Sequence, residues 1–143
     1  MGTLGDKIYA VGGNSPYPNT VALSSVERYD ATANSWTAVA STSAARGLHA
    51  VAVLGGYLYA IAGQNTGGGR TSLVEKYDPS ANSWSSVASI PTARMYAAAA
   101  ALGDYIYVIG GFTWSGSAYV YHTTNERYDP SANSWSTVAS MGT

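Results

Sequence analysis

The chain has 143 residues and a mass of 14.8 kDa, room for one ordinary domain or one piece of a larger symmetric one. Only 10% of its residues are charged, against about 25% in an average globular chain, and the formal net charge of -1 excludes the basic footprint that nucleic-acid binding demands. With no Cys and only His49 and His122, a disulfide framework, a thiolate metal site and a Cys nucleophile are excluded, and an all-histidine metal site lacks ligands.

The longest apolar stretch, Ala97 to Leu102, falls far short of the roughly 20 residues of a membrane helix. The N-terminus also lacks the basic-plus-apolar pattern of a signal peptide. The chain therefore reads as soluble; its compartment stays open, with the cytoplasm slightly favoured.

The first predicted element is a strand over Ile8 to Val11, entered through Leu4-Gly5 and closed by Gly12-Gly13. After a loop from Asn14 to Ser25 comes a strand carrying Val26-Glu27-Arg28-Tyr29-Asp30, and after a turn a strand carrying Asn34-Ser35-Trp36. The second stretch opens with an additional strand, Leu48 to Val53, and a tight turn at Gly55-Gly56, suited to positive φ. It then repeats the series: Leu58 to Ile61, Ala62-Gly63, the loop Gln64 to Leu73, Val74-Glu75-Lys76-Tyr77-Asp78 and Asn82-Ser83-Trp84. The third stretch runs from Tyr96 to Ala101 through Gly103-Asp104, Ile106 to Ile109, Gly110-Gly111 and the loop Phe112 to Thr124 to Asn125-Glu126-Arg127-Tyr128-Asp129 and Asn133-Ser134-Trp135. The Asp-Pro-Ser-Ala-Asn stretches before Trp84 and Trp135 are hairpin turns, with Pro fixing φ and Asp and Asn bonding their own backbone.

The pattern is a threefold repeat. Tyr29, Tyr77 and Tyr128 lie 48 and 51 residues apart, and each Trp follows its Tyr by seven. A four-stranded sheet of this size cannot bury both faces alone, so successive sheets must stack, and radial stacking gives a propeller. Five alanines from Ala97 to Ala101 suit an innermost strand crowded near the axis. A helix is the competing reading of that run, and Val51 and Val53 at equivalent positions favour strand.

An apolar run ending in Gly-Gly, a Tyr on the next strand, a Trp seven residues later and a period near 50 resemble the kelch repeat over essentially the whole chain. The resemblance implies an all-β fold of kelch-type β-propeller blades, in units of approximately 1–41, 42–89 and 90–143. Ala62 departs from the Gly pair, and the first unit lacks its inner strand. Kelch propellers commonly close their ring by a C-terminal strand that returns to the first blade, and here that strand is missing. Blades usually number four to eight, so the expectation is half of a six-bladed propeller completed by a homodimer. Met-Gly-Thr at both ends, and 11 identical residues of 12 between Asp78 to Ser89 and Asp129 to Ser140, suggest an engineered or recently duplicated fragment.

Catalysis is not expected. A catalytic site needs different groups in different roles, yet thirteen of the fifteen charged residues recur with the repeat, leaving Lys7 and Arg70 as singletons. Glu27, Glu75 and Glu126 read as paired structural carboxylates, the three repeated Trp as interblade core, and Gly67-Gly68-Gly69-Arg70 as a loop tip rather than an anion nest. Variation concentrates in the loops after each Gly pair, where a rigid scaffold carries function. The expected binding face combines Trp114, Tyr121, Arg70 and Tyr17 with Arg46 and Arg94 at the start of the inner strands, a composition typical of hot spots. The alternative for the aromatics is that they cover the blade edge. By resemblance to peptide-binding kelch propellers, Arg46 and Arg94 contact an acidic ligand.

The resulting expectation is a binding or scaffold module for a protein or acidic peptide, without cofactor, metal, nucleic-acid or membrane partner. A carbohydrate-binding or carbohydrate-active propeller is the alternative, since the kelch architecture also hosts sugar enzymes. An assembly fragment with no ligand of its own is the third reading.

Overall fold

In the computed structural model, which describes residues 1–15 and 21–142, the chain is all-β, with three four-stranded antiparallel sheets. The first contains β1 (Gly2–Leu4), β2 (Lys7–Asn14), β3 (Ala22–Asp30) and β4 (Ser35–Val39) in sequence order. The second contains β5 (Ala50–Leu54), β6 (Tyr57–Ile61), β7 (Val74–Asp78) and β8 (Ser83–Val87). In the third, β9 (Ala98–Leu102) and β10 (Tyr105–Ile109) pair with β13 (Asn125–Asp129) and β14 (Ser134–Val138), while β11 (Phe112–Trp114) and β12 (Tyr119–Tyr121) form a separate hairpin. The alanine run is strand, as the equivalent valines imply. One expectation is corrected: the first sheet does have an inner strand, but β1 pairs only with Lys7 to Tyr9, whereas β5 pairs with all five residues of β6.

Alternation along each strand sends side chains to two different neighbours. Tyr9, Val11 and Val26 of the first sheet pack with Leu58, Ala60 and Tyr77 of the second. The other face of the second sheet, with Tyr59, Ile61 and Val74, packs on Ile106, Val108 and Tyr128 of the third. Each junction repeats one set of bonds. Trp84 Nε1 donates to the Ala40 carbonyl at 2.8 Å, and Trp135 Nε1 to that of Ala88 at 2.8 Å. Asn82 Oδ1 accepts from both the Tyr77 hydroxyl and the Ala40 amide, and Asn133 Oδ1 from the Tyr128 hydroxyl and the Ala88 amide.

The turn chemistry is thus divided: Asp78 and Asp129 accept from the turn backbone, while Asn82 and Asn133, at φ 47, also tie their blade to the preceding one. Trp135 proves as much a junction residue as Trp84, and Trp36, 49% exposed, has no neighbouring sheet against it among the described residues.

The Gly pairs turn the chain tightly beneath the next connection. A Cβ on Gly111 would lie 2.6 Å from the Met95 carbonyl oxygen, and Ala62, in the departing second pair, still adopts φ 58. These turns bring the loops after β2, β6 and β10 to the same end of the sheets as the connections that start the inner strands: Gly47 bridges to Gln64 and Met95 to Phe112.

Candidate functional site

The loop after Gly111 is where the repeat breaks most, and its sequence places aromatic or β-branched residues at Phe112, Trp114, Tyr119 and Tyr121. These residues suit a pleated ladder, and a short Ser115-Gly116-Ser117 tip with Gly116 at φ 100 lets the chain reverse. The backbone amide of Ser115 donates to the Ala118 carbonyl at 2.9 Å, and Met95 and Phe112 exchange two backbone bonds at 3.0 Å. The hairpin is thereby fixed to the start of the third inner strand.

Its rings form a continuous aromatic surface. Tyr96 stacks on Phe112 with centroids 5.3 Å apart, Phe112 meets Tyr119 edge-on at 5.1 Å, and Trp114 lies 4.8 Å from Tyr119. A recess of about 380 Å³ opens beside them, lined by Gln64, Met95, Tyr96, Phe112, Trp114 and Tyr119 among others. Tyr96 and Tyr119 are about 60% exposed, Trp114 is 41% exposed and Tyr121 74%. Arg70 spans from the second blade's loop to the hairpin, donating from Nη1 to the Trp114 carbonyl at 2.7 Å.

The structure places Trp114 and Tyr121 on one face of the hairpin, with Arg70 bonded to the Trp114 carbonyl. Tyr17 lies outside the described residues. Arg46 and Arg94 do not join the face, and the expectation that they meet an acidic ligand is corrected: both are fully buried. Arg46 forms an ion pair with Glu75 and donates to the Leu73 carbonyl; Arg94 pairs with Glu126 and donates to the carbonyls of Gly110 and Thr124. Burial pulls both guanidinium pKa values down, and the adjacent carboxylates counter that pull. The physical reason is that a buried charge needs a partner, and the second and third repeats each carry their own.

The Gly67 to Gly69 loop is also closed to anions, because Asn65 Oδ1 accepts from the amides of Gly67 and Gly69. His122 sits 3.3 Å from Thr113 Oγ1, and its pKa is lowered chiefly by burial and then by Arg94. Tyr96, Met95 and Gln64 escape the sequence reading. Their signal is positional: Leu48 and Tyr96, at φ 55 and 56, follow the repeated Arg by two residues, where the chain must bend outward before the inner strand.

Comparison with known proteins also divides the chain into three repeats. The family model described as Kelch motif matches residues 1–43, 45–91 and 93–142. Kelch-like protein 13 of Bos taurus and of Homo sapiens are each 37% identical over 70 residues, which is 48% of this chain and 11% of each relative. The Mus musculus protein of that name is 36% identical over 70 residues. A solved structure described as "Structure of YjhT" superimposes with a TM-score of 0.82 at 17% identity, covering 97% of this chain and 50% of the other. The chain thus spans about half of that structure and about a tenth of those curated relatives.

Proposed function

The chain belongs to the kelch-repeat family, all three of its units matching the motif, and on that premise we propose that it is a binding module whose aromatic loop face engages a protein or peptide partner. The observation that carries this reading is the recess beside Tyr96, Phe112, Trp114 and Tyr119, held on rigid blades and bridged by Arg70. Aromatic and Arg side chains supply most hot-spot energy because they desolvate large areas at low entropy cost. A peptide array probed with the wild-type chain, with Trp114→Ala and with Arg70→Ala tests it. Trp114→Ala is expected to weaken binders at least tenfold. Binders indifferent to both substitutions, or none at all, would remove the reading. Including glycans in the array addresses the carbohydrate alternative, which the exposed tyrosine rings also suit.

A second part of the proposal is ring completion by another copy of the chain. At one end Ile8 and Trp36 are 39% and 49% exposed, although their repeat equivalents Leu58 and Trp84 lie in a junction. At the other end Leu102 is 71% exposed where Leu54 packs against the next blade. The two open faces are thus the two halves of the junction the chain already makes twice. Two copies related by a twofold axis would form two such junctions and six blades. Light scattering at micromolar concentration is expected to give twice 14.8 kDa; a stable monomer would refute this part alone.

A further inference from the structure

The hairpin of β11 and β12 has two edges, and only one of them is held. Phe112 pairs with Tyr121, Thr113 with Val120 and Trp114 with Tyr119. The flanking bonds, from the Ser115 amide to the Ala118 carbonyl and from the His122 amide to the Gly111 carbonyl, both at 2.9 Å, set the phase of the ladder. Bonded positions alternate in an antiparallel pair, so Val120 turns its amide and carbonyl inward to Thr113, while Tyr119 and Tyr121 turn theirs outward. On β11 the outward edge is engaged, Phe112 by two bonds to Met95 at 3.0 Å and the Trp114 carbonyl by Arg70. On β12 the outward amides and carbonyls of Tyr119 and Tyr121 have no partner among the described residues.

This edge differs from a blade junction left open. The second blade repeats the arrangement in small: Gln64 exchanges bonds with Gly47 at 2.7 and 2.9 Å as Phe112 does with Met95, and Arg70 bridges Gln64 as Tyr121 pairs with Phe112. The third blade stands beside Arg70, yet it engages only the side chain, and the Arg70 backbone amide and carbonyl stay unpaired among the described residues. A following blade therefore leaves the equivalent edge free. In the third blade that edge is a regular strand, Tyr119, Val120 and Tyr121, exposed by 59%, 45% and 74%. It carries none of the Lys, Pro or bulges with which natural edge strands discourage pairing.

We propose that the free edge of β12 takes up an extended segment of a partner protein as a third strand, held by main-chain bonds to Tyr119 and Tyr121. The inference rests on the binding-module reading and names how the partner is held. The hydrogen-bond pattern chooses the occupant: donor and acceptor stand together at two positions two residues apart, the repeat of an extended backbone rather than of a helix or a sugar. Charge narrows it further. Arg70 is the sole charged residue in the loops 64–73 and 112–124, and Arg46 and Arg94 are already paired, so the surroundings favour an uncharged or acidic segment over a basic one. Phe112, Trp114, Tyr119 and Tyr121 share one face of the hairpin. Every second side chain of the added strand thus lies beside tyrosine rings, where β-branched and aromatic residues gain most.

The test selects a phage-displayed library of ten-residue peptides on the whole chain and measures the enriched peptides, made synthetically, by calorimetry. Enriched peptides are expected to alternate apolar and polar residues and to lack Pro at their centre. Tyr121→Pro removes one outward amide and leaves the inward ladder intact, whereas Tyr121→Val keeps that amide and removes the ring. Tyr121→Pro is expected to weaken the peptides about tenfold or more beyond Tyr121→Val, with circular dichroism confirming that both variants are folded. A second measurement needs no variant. In hydrogen exchange followed by nuclear magnetic resonance, the Val120 amide is expected to be protected in the free chain, and those of Tyr119 and Tyr121 to slow about tenfold or more only when an enriched peptide saturates it. No enriched peptide, equal binding by the two folded variants, or exchange at Tyr119 and Tyr121 unchanged by bound peptide would overturn strand addition. Peptides that fail these two measurements but are lost with Trp114→Ala would leave the binding-module reading standing.

Discussion

Replacing Trp84, Trp135 and Trp36 in turn by alanine poses one chemical question at two closed junctions and one open face. At the closed junctions the indole sits about 5.1 Å from its own blade's tyrosine and donates to the preceding blade's backbone at 2.8 Å. Both rings are half-buried, so the lower end of the area a Trp buries applies, about 150 Å². At about 25 cal/mol per Å² this area contributes about 4 kcal/mol, and loss of the hydrogen bond adds about 1 kcal/mol. Residual structure in the unfolded chain and partial collapse of the cavity reduce the sum. Each of Trp84→Ala and Trp135→Ala is therefore expected to destabilise by about 3 to 5 kcal/mol.

Trp36 packs on its own Tyr29 ring, at 5.2 Å, and stands 49% exposed. In the monomer Trp36→Ala is expected to cost less than about 1 kcal/mol. Urea denaturation followed by far-ultraviolet circular dichroism, at a concentration where light scattering gives a monomer, measures all three. Equal losses at the three positions, or the largest loss at Trp36, would refute the junction reasoning. At higher concentration the Trp36 variant is expected to lose the concentration dependence of melting that association confers.

Glu75→Gln leaves Arg46 buried without its counter-charge and is expected to cost about 3 to 5 kcal/mol, while Glu27→Gln, on an exposed group, is expected to stay within about 0.5 kcal/mol in the monomer; paired chemical melts decide. His49 is pulled down to about 4, chiefly by burial and then by Arg46, and its Nδ1 has no partner. The unfolded chain therefore takes up the proton first. Stability is complete above about pH 6.5 and falls between there and pH 4, by about 2 kcal/mol at pH 5, and His49→Ala, the residue of the repeat equivalent Ala97, is expected to flatten urea midpoints over that window. Asp78 and Asp129, lowered first by the Ser80 and Ser131 side chains, act only below the ordinary carboxylate range and leave that window clean. Gly111→Ala drives a methyl into the Met95 carbonyl at positive φ and is expected to cost about 3 kcal/mol, whereas Gly103→Ala, at φ 59 in open space, is expected to cost about 1 kcal/mol by thermal melting.

Blade order and the strands that carry the repeated Tyr and Trp are legible in the sequence because each is stated three times, and the strand nature of the alanine run because Val51 and Val53 stand at its equivalent positions; repetition separates a structural residue from an incidental one. The hairpin of Phe112 to Tyr121 occurs once, so no period announces it; only the aromatic residues on either side of Ser115-Gly116-Ser117 hint at a ladder. Arg46 and Arg94 mislead for a related reason. Their place near the loop end is readable, but the direction of a long side chain is not, and a guanidinium at a sheet's end has both solvent and interior within reach. The clue was the recurrence of Arg and Glu together, Arg46 with Glu75 and Arg94 with Glu126, which marks a pair closed inside the second and third units. The short inner strand β1 escaped because three residues carry almost no pattern.

The shared acceptor at Asn82 and Asn133 gives the array a direction. Each blade carries its latch, an asparagine oxygen and an indole N–H, on the side facing backward, and offers only plain backbone, the amide and carbonyl of Ala40 or Ala88, on the side facing forward. A duplicated unit consequently arrives with everything needed to fasten itself to whatever precedes it, and asks of its predecessor nothing but an ordinary strand end. Nearest-neighbour coupling of this one-sided kind lets a gene lengthen unit by unit without compensating substitutions elsewhere.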